Sequence, residues 1–241
     1  ENKFLYRVEA RNLIMLSSWE RSLELAYFNH RVITEINKTK QVNWLLIDLG
    51  LENVNEEDIN ETLDRMLIAF NRLFKYKSVR QIHLGYFRML DILKKGDMYH
   101  PRIHILVPMI KSYFQGKYYI KHDDWSSLWS RALGMEKGLY VKVKVMKAKE
   151  KRCEIPHEKL LNFREQECEF SYQESKVITS RRLVGYSKLL KTVTDQLANG
   201  DISHFNMDKF CIDDSVANQA FINMLQWHPG LREDEKSPFV K

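Results

Sequence analysis

Tyr99-His100-Pro101-Arg102-Ile103-His104-Ile105-Leu106-Val107 is the stretch on which the reading of this chain turns. Ile103, Ile105 and Val107 line one side of an alternating pattern, and Arg102 and His104 lie on the other. That period of two marks a β-strand. Side chains two apart on a strand share a face, so two histidines at this spacing can hold one divalent cation between them. Here Arg102 and His104 share that face. A guanidinium carries only donors and a permanent charge, so it cannot ligate a metal.

Upstream, a long strand is expected from about Gln81 to Leu93, turning through Gly96-Asp97 into the strand from Arg102 to Val107. Together they make a β-hairpin. With the turn centred on Asp97 and Met98, Asp91 lies directly opposite His104 on one face. Further out, residues 19 to 39 read as an amphipathic helix bearing Trp19, Leu23, Ala26, Ile33 and Ile36, and Val42 to Leu49 as a buried strand. Asn55 is placed to cap a helix whose apolar face runs from Ile59 to Phe74, with Glu56, Glu57 and Asp58 at the positive end of its dipole. Trp125 to Leu133 reads as a short helix, and Leu139 to Val145 as a half-exposed strand.

Strands joined by a hairpin and interspersed with helices predict an α+β fold: a central antiparallel sheet covered by helices, with a helical N-terminal element and a C-terminal extension. The expected divisions are residues 1–150, a shortened variable segment 151–180, and 181–241. The hydrophobic fraction of 44% suffices for a proper core, and no apolar run approaches the length of a membrane span. The first residues, Glu1-Asn2-Lys3-Phe4-Leu5, do not read as a signal peptide, so the default location is cytoplasmic. Thirty-eight Lys and Arg against 32 acidic residues leave a net charge of +6, a modest pull towards a polyanion. Cys153, Cys168 and Cys211 are too few and too scattered for a disulfide framework or a zinc site.

Several stretches in order carry a resemblance: Trp19-Glu20-Arg21-Ser22, Gly85-Tyr86-Phe87-Arg88-Met89-Leu90-Asp91, His100 to Val107, Lys111-Ser112-Tyr113-Phe114, Trp125-Ser126-Ser127-Leu128-Trp129 and Arg181-Arg182-Leu183-Val184-Gly185-Tyr186. With a weaker echo at Ile222 to Trp227, the chain resembles the rolling-circle replication initiators (Rep proteins) of small bacterial plasmids over nearly its whole length. These belong to the nicking enzymes named for a His-hydrophobic-His motif. The resemblance implies a tyrosine that attacks a DNA phosphodiester and a metal, Mg²⁺ or Mn²⁺, that polarises the scissile phosphate. It also implies an acidic ligand at Asp91.

This chain departs from that pattern. His104 and Asp91 remain as a remnant metal site, Arg102 stands where the second histidine belongs, and His100 is a conceivable substitute. Arg102 is able to pair with Asp91 and put a fixed cation in the metal's place. The interval that carries the nucleophile in relatives is shortened here, and Tyr172 is the tyrosine inside it, with Tyr186 a second choice whose neighbours match a later strand better. Lys111, Lys117, Lys121, Lys142 and Lys144 lie close in sequence to Tyr113, Phe114, Tyr118 and Tyr119, a mixture suited to phosphate contacts and stacking on unpaired bases. Phe114 and Trp129 are expected in the core.

The reading is a Rep-like DNA-binding protein tied to plasmid rolling-circle replication or its control, a pseudoenzyme that has lost nicking and needs no cofactor. Two alternatives stay open. One is an active nickase using Tyr172 with Mg²⁺ or Mn²⁺. The other is a regulator that binds an intact Rep protein or itself. The expected partner is single-stranded or hairpin DNA, and no membrane is involved.

Overall fold

The structure, a computed structural model, describes residues 18–147, 181–198 and 213–233. Tyr172 and the three cysteines, together with the segment 151–180, lie outside these residues. The chain begins with α1 (Ser18–Thr39), β1 (Asn43–Leu51) and a short β2 (Val54–Asn55), then α2 (Ile59–Leu73) and a single turn α3 (Lys77–Arg80). The hairpin β3 (Gly85–Lys95) and β4 (Met98–Met109) follows, then α4 (His122–Leu133) and β5 (Leu139–Met146). The C-terminal residues add β6 (Val184–Ser187), α5 (Lys188–Ala198), α6 (Ser215–Met224) and β7 (Gly230–Glu233).

These strands form one seven-stranded sheet in the order β5-β1-β4-β3-β6, with β2 beside β4 and β7 beside β3. Every pairing is antiparallel except β3 with β7. The α+β class and the central sheet covered by helices are as expected. The last stretch of chain is woven into that sheet through β6 and β7. Among the described residues no helix is long and apolar enough to cross a membrane.

Alternation along the strands gives the sheet two different faces. On one, Leu45, Ile47 and Leu49 of β1 and Ile103, Ile105 and Val107 of β4 pack with Leu63, Phe70, Trp125 and Trp129 from α2 and α4. On the other, Trp44 and Leu46 of β1, Phe87 and Met89 of β3 and Leu106 of β4 pack with Ile33 and Ile36 of α1, Leu190 of α5 and Phe221 of α6. This second core fills only half of its face. Beyond Leu46, Met89 and Leu106 the same side carries Asp48, Asp91 and His104 instead.

Four details depart from the sequence reading. The long hairpin strand starts at Gly85, because Lys77–Arg80 forms a helical turn first. Asn55 belongs to β2, and Asp58 precedes α2 without a side-chain cap. Phe114 is exposed, since it sits in the loop after β4. The hairpin turns at Gly96-Asp97, which sets Asp91 opposite Arg102 and leaves His104 opposite Met89. A shift of two residues keeps every side chain on its face, whereas a shift of one would have turned Asp91 into the other core.

Candidate functional site

The charged half of the second face is built from four strands lying side by side. His104 on β4 pairs across to Asp48 on β1, and Asp48 in turn pairs with Lys142 on β5. On the other side of β4, Asp91 stands diagonally from His104. A diagonal neighbour on one face is within reach of a long side chain. His104 uses that reach in both directions: its Nδ1 lies 2.7 Å from an Asp48 carboxylate oxygen and its Nε2 lies 3.1 Å from an Asp91 oxygen.

With both aspartates ionised, both ring nitrogens donate, as only the doubly protonated imidazolium does. Burial alone would push the His104 pKa down, but the hydrogen bonds to the two aspartates and their negative charges outweigh it, and the pKa is raised. The indole of Trp227 lies flat on this ring, with centroids 4.8 Å apart and planes within 10°. A π-face over a buried cation adds electrostatic attraction and keeps water off it. Ser22 of α1 donates to the Trp227 carbonyl and so fixes the covering segment.

Arg102 does not pair with Asp91. Its guanidinium turns to the other side, donating to the Leu51 carbonyl at 2.6 Å and to Glu52 in the turn after β1. It lies 3.8 Å above the ring of Tyr140 on β5. The second Glu52 oxygen is 2.7 Å from Nδ1 of His100, so one carboxylate ties both residues. Glu52 takes the arginine because β1 ends beside Arg102: Gly50 is its cross-strand neighbour, and a Cβ there would meet the Pro101 carbonyl at 2.4 Å and the Arg102 side chain at 2.7 Å. The missing side chain is the channel through which Arg102 reaches the turn.

The divalent ion of the nicking enzymes does not fit these donors. His100 and His104 are four residues apart on one strand, about 13 Å, too far to share an ion. Both nitrogens of His104 are committed to carboxylates that point at the ring. Among the described residues, no group of three or more His, Cys, Asp or Glu side chains is arranged to hold a metal.

The remaining residues singled out from sequence are spread over the surface. Lys142 is exposed and borders the site, while Lys144 donates to the Asn223 side chain at 2.7 Å. Lys111, Lys117 and Lys121 are exposed in the loop after β4, at the other end of the sheet. Tyr186 packs between Phe28 and Phe87, and its hydroxyl accepts from Asn29. Asp48, Glu52, Gly50, Tyr140 and Trp227 were missed. Asp48 left a signal as an acid in an otherwise apolar strand, and Trp227 lay in a stretch noted only for its resemblance.

The site is thus one charged half-face on the central strands of a sheet whose other half-face is apolar. Comparison with known sequences gives the family itself. Residues 13–234 match the family described as replication protein. A "Protein rep" of Bacillus amyloliquefaciens is 33% identical over 253 residues, covering 91% of this chain and 74% of the relative. A "Protein rep" of a Bacillus species is 38% identical over 141 residues, which is 58% of this chain and 46% of the relative. A "Replication protein" of Staphylococcus aureus is 24% identical over 237 residues, 88% of this chain and 97% of the relative. No solved structure is a significant match. The chain belongs to the plasmid Rep family of replication proteins.

Proposed function

We propose that this chain is a DNA-binding replication protein that engages single-stranded or hairpin origin DNA in the cytoplasm and does not cut it. The observation that carries the reading is the enclosure of His104 between Asp48 and Asp91. An imidazole held between two carboxylates supports a reading in which a side-chain cation stands in for the divalent metal that nicking requires. A second fixed cation, Arg102, neutralises Glu52 close by. A divalent ion would have to displace a buried imidazolium and enter beside a guanidinium, against like charge on both counts.

DNA binding rests on the family and on charge. Lys142 and Lys144 project from the edge strand beside the site, and both are exposed. Phosphate contacts by such lysines bind without regard to sequence and weaken steeply with salt.

The test is incubation of the protein with labelled single-stranded origin DNA in Mg²⁺ or Mn²⁺. The expected result is binding at low salt with neither cleavage nor a protein–DNA adduct. A metal-dependent adduct on Tyr172 would show a working nickase. Absence of binding at low salt, with capture of an intact Rep protein instead, would make the chain a regulator.

A further inference from the structure

The loop between β4 and α4 holds two large aromatic rings out in solvent. Phe114 is 44% exposed and Tyr119 is 45% exposed. With Ile68 they are the large apolar side chains left exposed among the described residues, so two of three are neighbours. Their ring centroids are 5.7 Å apart, and the buried ring of Tyr113 braces both edge-on, at 4.9 Å from Phe114 and 5.7 Å from Tyr119.

The platform is anchored at both ends. Asn43 donates to the carbonyls of Ile110 and Lys111, and the Tyr113 hydroxyl donates to the carbonyl of Ile120. Rings held in this way lose little freedom when something stacks on them.

Lys111, Lys117 and Lys121 flank the pair along the same stretch of chain, all exposed and none in an ion pair among the described residues. The acids nearby are Asp123, beside His122, and Asp124, which accepts from the Lys121 backbone. Lys111 also lines a cleft of about 360 Å³ with Lys40, Gln41 and Asn43, which extends the basic surface towards the end of α1.

We propose that Phe114 and Tyr119 stack an unpaired nucleobase of single-stranded DNA while Lys111, Lys117 and Lys121 take its flanking phosphates. This rests on the DNA-binding reading above and adds a second contact to it. The site lies past Met109, about 23 Å along β4 from Arg102. Single-stranded DNA is the occupant because the surface combines π-faces with cations outside any ion pair, one of which, Lys117, lies 5.5 Å over the Tyr118 ring, and a duplex buries its base faces in its own stack. An apolar protein segment would meet three lysine charges to no benefit.

The test uses the full chain and a fluorescent oligothymidylate of about 15 residues, near the upper end of site sizes for such surfaces. A matched duplex is measured in parallel. Phe114→Ala with Tyr119→Ala should weaken oligothymidylate binding by about tenfold or more, the range expected for lost base stacking, and leave the salt dependence and the duplex affinity unchanged. Phe114→Tyr should retain binding. A Phe114→Trp variant should show quenching of its fluorescence on adding the oligonucleotide.

Equal affinity of the double alanine variant and the unmodified protein would overturn the stacking site while leaving DNA binding in place. A parallel loss for the duplex would do the same, by showing a general effect of the loop. If the unmodified protein binds neither probe at low salt, the DNA-binding reading fails and this inference fails with it.

Discussion

Asp91 and His104 stand two residues out of cross-strand register, yet their side chains meet at 3.1 Å. The backbone partner of Asp91 is Arg102, which turns away to Glu52. The site is thus two ion networks back to back, Asp48–His104–Asp91 and His100–Glu52–Arg102, separated along one strand. Arg102, although it is Asp91's cross-strand partner, belongs to the second network and not the first.

That division predicts the effect of reversing the arginine. In Arg102→His, residue 102 would face Asp91 across the hairpin and sit beside His104, restoring two histidines and an acid to one face. Isothermal titration with Mn²⁺ should show little heat with the unmodified protein and a measurable site in the variant. Strong binding by the unmodified protein would mean that the His104 clamp opens readily, which its burial argues against.

Breaking the clamp should be costly. His104→Ala leaves Asp48 and Asp91 facing each other with no cation between them, and removing one partner of a buried ionic network costs roughly 3–5 kcal/mol. Asp48→Asn with Asp91→Asn in the same background removes both charges and should recover part of the loss. A urea unfolding series reads the three proteins directly. Equal stability of the single and triple variants would mean that the two aspartates do not repel once His104 is gone.

The sheet and its order of elements were legible because they depend on local alternation and on apolar runs. The β1 strand, the hairpin with its Gly96-Asp97 turn, and the Trp125 helix each carry their own pattern. The fine register was not legible, since it turns on where a two-residue turn centres, and a shift of two residues leaves the hydrophobic pattern unchanged. The site was half legible. Asp91, Arg102 and His104 lie on the hairpin, while Glu52 is 50 positions from Arg102 and Trp227 is 123 positions from His104. Phe114 was misplaced because an aromatic in a loop has no periodicity to say which way it faces.

Gly50 is a point where space and not flexibility sets the residue. A methyl group there would fall 2.4 Å from a backbone carbonyl, which cannot swing aside as a side-chain end does. Gly50→Ala should therefore destabilise by about 1–3 kcal/mol, the usual cost of overpacking. It should also detach Arg102 from Glu52. Thermal melting of Gly50→Ala alone and with Arg102→Ala separates the two effects: if the carbonyl clash dominates, trimming the arginine will not rescue the melting temperature.

Acid sensitivity should come from His83, away from the site. Burial, followed by the nearby Lys188 charge, lowers its pKa to about 4, and the neutral ring accepts from Lys188 Nζ at 3.2 Å. In the unfolded chain the same group titrates near 6.5, so between these values the unfolded state binds a proton that the folded state refuses. The contribution is complete above about pH 6.5 and is lost as pH falls towards 4, by up to about 3 kcal/mol from the 2.5-unit difference. His83→Gln keeps an acceptor for Lys188 and removes the titration. Unfolding free energies measured at pH 7 and pH 5 should differ less in the variant than in the unmodified protein, and an unchanged difference would place the acid sensitivity elsewhere.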